Sequence, residues 1–128
     1  MVEERTTDGR RIAELLASEL DGREDGALES VSVTDADRNV EPSADGARAY
    51  DLVAGTEADR IARVFVHPDR LRLEFERGQE LAAETATNLE LRVRPKASQP
   101  PKTLVFVESG AAVKRATDVV DAVVDADA

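Results

Sequence analysis

The stretch Thr103 to Val124, TLVFVESGAAVKRATDVVDAVV, constrains the fold most, because it joins the most apolar run of the chain to its longest amphipathic pattern. Leu104, Val105, Phe106 and Val107 are consecutive, so a strand here sends apolar side chains to both faces and belongs inside a sheet, covered above and below. Ser109 offers a hydroxyl oxygen to the unpaired N–H groups of a following helical turn, and Gly110 permits the sharp change of direction. On a helical wheel Ala112, Val113, Ala116, Val119, Val120, Val123 and Val124 share one arc, with Lys114, Asp118, Asp121 and Asp125 opposite. Buried valines at roughly 1.5–3 kcal/mol each outweigh valine's modest helix propensity, so packing rather than propensity holds this helix.

Two alternating runs, Ile61 to His67 and Leu71 to Arg77, flank Pro68-Asp69 and predict a hairpin. If His67 and Arg70 close the turn, Val66 faces Leu71, Val64 faces Leu73 and Ala62 faces Phe75, an all-apolar face. The other face then pairs Arg63 with Glu74 and Phe65 with Arg72, and carries Ile61. A slip of one residue would ruin both sets.

Elsewhere, Thr6 and Thr7 precede a helix marked by Ile12, Leu16 and Leu20, which stops at Asp21-Gly22. A short strand is expected near 27–34, a solvated loop over 35–46, and a second strand around Tyr50 and Leu52 that ends near Gly55. Gln79 to Asn88 has the composition of a short helix. Leu89, Leu91 and Val93 alternate with Glu90, Arg92 and Arg94, predicting a strand that ends by Pro95, with Lys96 to Lys102 a loop. The expected fold is α+β: a two-layer sandwich, its mainly antiparallel sheet of five to six strands carrying N- and C-terminal helices. One domain over 1–128 is expected, with 1–5 and 126–128 frayed.

The charge balance narrows the function classes. There are 27 acidic and 17 basic residues, net −10, and arginine supplies 14 of the 17. Such a surface suits a cytosol of about 1 M salt, where the Debye length is only about 3 Å and self-repulsion is screened. No apolar run is long enough to span a membrane and none resembling a signal sequence opens the chain, so a cytoplasmic location is expected. The absence of cysteine excludes thiolate chemistry, and one histidine leaves the usual zinc and iron sites short of ligands.

The segments VHPDRLRLEF, LRVRPKA and PPKTLVFVESGAAVKRA resemble those of small uncharacterised proteins of haloarchaea, over most of the chain from the first helix onward. The resemblance implies a source and no activity, ligand or catalytic residue.

No catalytic constellation emerges. His67 sits at a turn with no second histidine, and Ser109 lacks the G-x-S-x-G context of a nucleophile and is better read as a helix cap. Asp35 and Asp37 lack the further ligand spacing of a calcium loop. The expected role is a non-catalytic binding or interaction module without metal or cofactor. Self-association as a homodimer is expected, through Ile61, Arg63, Phe65 and Arg72. The alternative is a binder of a phosphate-bearing ligand or nucleic acid. It rests on the 91–115 region, where six basic residues meet one acidic one, and on Arg92, Arg94, Lys96 and Lys102 in particular. Molar salt removes the drive from counterion release, which favours a compact anion pocket over a purely electrostatic nucleic-acid surface.

Overall fold

The computed structural model describes residues 8–21, 30–37, 39–55, 59–99 and 101–127. In chain order the elements are α1 (Gly9–Asp21), β1 (Val31–Thr34), β2 (Ala47–Ala54), β3 (Asp59–His67), β4 (Arg70–Phe75), α2 (Gln79–Asn88), β5 (Val93–Lys96), β6 (Lys102–Val107) and α3 (Val113–Asp127). The six strands form one antiparallel sheet in the order β1-β2-β3-β4-β6-β5. The three helices pack together on one side of it, giving the expected two-layer α+β arrangement. Thr6, Thr7 and the segment 22–29 lie outside the described residues. At the other end α3 extends to Asp127.

The core lies between the layers. Ile12, Leu16 and Leu20 of α1 and Val119, Val120 and Val123 of α3 meet Val64, Val66, Leu71, Leu73, Phe75, Val105 and Val107 of the sheet. The β3–β4 hairpin has the register its alternation requires: Val66↔Leu71, Val64↔Leu73 and Ala62↔Phe75 line the core, while Arg63↔Glu74 and Phe65↔Arg72 face away. Tyr50 buries its ring beside α1 and its hydroxyl donates to the Ala13 carbonyl at 2.8 Å. Burial pushes that hydroxyl's pKa far up.

The start of α1 is set by a backbone contact. Asp8 Oδ1 accepts from Arg11 N–H at 3.2 Å, and Gly9 N–H donates to the Pro68 carbonyl at 3.1 Å. A Cβ on Gly9 would lie 1.8 Å from the His67 carbonyl oxygen, so only glycine lets the helix approach the hairpin turn this closely. At the other junction Ser109 Oγ accepts from Ala112 N–H at 3.2 Å, closing the turn that leads into α3.

Three expectations are corrected. Ile61 does not share the outer face with Phe65. Val53 pairs with Arg60 and Leu52 with Ala62, so Ile61 is the extra residue of a bulge and turns into the core, 3 % exposed. The strand expected over 89–94 is β5 at Val93–Lys96, which runs through Pro95. Arg92 O accepts from Phe106 N–H at 3.0 Å, so by alternation the backbone of Pro95 faces the open edge, where a missing N–H costs nothing. Finally, among the described residues no helix covers the second face of β6. Gln79–Asn88 is a helix, but Ala82 and Ala86 join the core on the same side as α3.

Candidate functional site

The helix-free face of the sheet gathers most of the residues singled out by the sequence. Strand register sets a row across it. Arg48 of β2 lies opposite Phe65 of β3, Phe65 opposite Arg72 of β4, and Arg72 opposite Phe106 of β6; Arg92, just before β5, is bonded to Phe106 through the backbone. Arginine and phenylalanine therefore alternate over five neighbouring backbone segments. The guanidinium of Arg72 stacks 4.5 Å from the centre of the Phe65 ring, and those of Arg92 and Arg70 lie 5.0 and 5.7 Å from that of Phe106. Phe106 is only 8 % exposed, so arginines rather than a helix supply the cover this strand was expected to need.

A second row, Asp51, Arg63, Glu74, Leu104 and Arg94, runs beside the first. It carries the carboxylates that hold the face together. Glu74, 2 % exposed, accepts from Arg72 Nε at 3.0 Å and lies 3.6 and 3.7 Å from the ammonium groups of Lys96 and Lys102. Asp51, equally buried, pairs with Arg48 and, at 3.5 Å, with Arg60. Glu76 takes Arg60 Nε at 3.1 Å and Arg63 Nε at 2.9 Å. These pairs depend on two bulges. One at Ala49 puts Arg48 and Asp51 on the same side, and the one at Ile61 does so for Arg60 and Arg63.

Over the strands, their flanks and the 67–70 turn, this face bears nine basic residues: Arg48, Arg60, Arg63, Arg70, Arg72, Arg92, Arg94, Lys96 and Lys102. Against them stand Asp35, whose charge acts on Arg48, and Asp51, Asp69, Glu74, Glu76 and Glu108. The excess is positive in a chain whose net charge is −10. Among the described residues the charge is two-sided, with most of the carboxylates away from the open sheet.

All four expected anion-binding residues are on this face. Lys96 and Lys102 are not in a loop but oppose each other across β5 and β6. Arg92 pairs with Glu108 at 3.1 Å, whereas exposed Arg94 has no carboxylate partner among the described residues. Lys114 and Arg115 belong to α3 instead, and Arg115 Nη1 donates to the Leu89 carbonyl. Arg63, Phe65 and Arg72 are on the face too, and Ile61 alone of that set is not. Sequence reasoning placed Glu74 here opposite Arg63 but missed Arg48, Arg60, Arg70, Asp51 and Glu76. Arg70 and Glu76 follow the hairpin's alternation and could have been included, but the bulges hide Arg48 and Arg60.

His67 rivets a loop to the edge of the face. It is 3 % exposed; Nδ1 is 3.0 Å from the Ala44 carbonyl and Nε2 is 3.2 Å from Arg72 Nη1, a guanidinium nitrogen that can only donate. The ring is thus neutral with its proton on Nδ1. Desolvation, and secondarily Arg70 and Arg72, hold its pKa below the usual histidine value despite the opposing Ala44 bond. Among the described residues no group of three or more potential ligands is placed to hold a metal ion. Surface cavities of about 260, 260 and 610 Å³ are lined by other residues, not by Arg92, Arg94, Lys96 or Lys102. Arg92, Arg94, Lys96 and Lys102 lie along the open face of β5 and β6.

Among the described residues no helix is long and apolar enough to cross a membrane. No curated protein and no solved structure matches the chain. A family model does match, over residues 1–128, and the chain belongs to that family of unknown function, DUF7993.

Proposed function

We infer that the protein is a non-catalytic binding module whose helix-free sheet face takes an anionic, phosphate-bearing ligand. One observation carries this reading: a strongly acidic chain gathers nine of its basic side chains on a single face, and leaves Arg94 there without a carboxylate partner among the described residues. Arginine suits the task, since its planar fork matches phosphate oxygens and holds its charge at any working pH. Self-association through the same face has less support. It would bring two positive surfaces together, and Phe106 is already covered by arginines.

The same reading places the protein in the salt-rich cytosol of a haloarchaeon, where an acidic exterior is screened and short-range, directed contacts outlast diffuse attraction. Thermal melts in inorganic phosphate and sugar phosphates, at fixed ionic strength, test the site. Phosphate should raise Tm for the wild type and not for Arg94→Glu with Lys102→Gln. Light scattering in high salt should give a monomer. Tm should also climb between about 0.1 M and molar KCl, and a flat profile would count against the salt-adapted setting.

A further inference from the structure

We propose that the ligand of this face is single-stranded nucleic acid, lying along the β5–β6 edge with bases over the arginine–phenylalanine row. This rests on the anion-binding reading above and narrows it. The first argument is spacing. Arg92, Arg94 and Lys96 project from alternate positions of one edge segment, so their backbone origins are about 6.8 Å apart. That step is close to the one between neighbouring phosphates on an extended single strand. All three side chains are substantially exposed.

The second argument is the planar surface beside that ladder. Phe106 lies under the Arg92 guanidinium, and farther across the sheet Phe65 lies under Arg72. Rings with guanidinium groups over them offer aromatic and cationic surface on which a base can stack, and such stacking discriminates little between bases. From Arg48 to Arg92 the row crosses about 19 Å at ordinary strand spacing, more than one nucleotide needs. Duplex is disfavoured, because groove readers insert a helix or a two-stranded ribbon and this face presents neither. A strand-forming peptide is disfavoured as well, since Pro95 leaves the β5 edge short of a backbone donor.

The test is fluorescence anisotropy of the purified full chain with end-labelled twelve-nucleotide pyrimidine DNA and RNA. The same DNA as duplex, and inorganic polyphosphate, serve as comparison ligands. Single strands should bind at least tenfold tighter than duplex. If three phosphates are contacted, the logarithm of affinity should fall with that of salt at a slope of about −2. Arg94→Glu with Lys96→Ala should flatten that slope to roughly −0.7. Phe65→Leu, which keeps the apolar cover but removes the ring, should weaken single-strand binding roughly tenfold and leave polyphosphate binding unchanged. Circular dichroism and Tm confirm that the variants are folded. Equal binding of duplex and single strand, or indifference to Phe65→Leu, overturns the proposal. If phosphate or polyphosphate binds and oligonucleotides do not, this inference fails while the anion-binding reading stands; if no anion binds, both fall.

Discussion

Glu74→Gln separates what holds the open face together from what the face is for. The Glu74 side chain is 3 % exposed and neutralises Arg72, Lys102 and Lys96, whose side chains are 16 %, 18 % and 46 % exposed. Breaking a fully buried pair costs roughly 3–5 kcal/mol, and losing a solvent-exposed pair costs under about 1 kcal/mol. Here the charges left behind are cations at the surface that can turn partly into water, so the cost should be between those limits, about 2–3 kcal/mol. For a domain of this size that lowers Tm by roughly 6–12 °C. Screening should shrink the loss in molar KCl. The same substitution removes the carboxylate that competes with a bound anion for these cations, so phosphate should raise the variant's Tm by more than it raises the wild type's. Melts of both proteins with and without phosphate, at two KCl concentrations, measure all of this. A variant that melts within a degree or two of wild type would refute the claim that Glu74 organises the cluster. One that gains nothing extra from phosphate would refute the claim that those cations are an anion site held in check.

Ile61→Ala should cost about 2–4 kcal/mol in denaturant unfolding, as a large-to-small core change does, whereas an outward-facing Ile61 would cost within about 0.5 kcal/mol. Gly9→Ala should destabilise by about 2–3 kcal/mol, because its Cβ would meet the His67 carbonyl oxygen at 1.8 Å and one backbone must retreat; an unchanged melt would refute that contact. His67 has a lowered pKa in the folded protein, so below about pH 6.5 the unfolded chain binds the extra proton and stability falls. It does not change with this group at higher pH. Denaturant midpoints from pH 7.5 to 5 should show that decline in the wild type and lose it in His67→Asn, and parallel profiles would remove His67 as the cause.

What the sequence determined by itself was local. The parity of the 61–77 hairpin follows from alternation, because a one-residue slip would carry Val64, Val66, Leu71 and Leu73 out of the core together. The dry face of α3 and the cap at Ser109 follow from spacing along one segment. The four cations of the 91–102 region were visible as a charge imbalance, and Arg63, Phe65 and Arg72 as the hairpin's outer residues. Tertiary structure decided what lies beside what. The bulges at Ala49 and Ile61 reverse the parity of strands whose alternation looked regular, moving Ile61 into the core and Arg48 and Arg60 onto the open face. A bulge is settled between a strand and its neighbours, so neither run reveals it alone. The insertion of β6 between β4 and β5 is likewise a choice among pairings that the pattern left open. That choice sets Phe106 beside Arg72 and both lysines against Glu74. It turns charges scattered along the chain into one surface, because ion pairs and ring stacking depend on distances of a few ångströms, which only the packed sheet fixes.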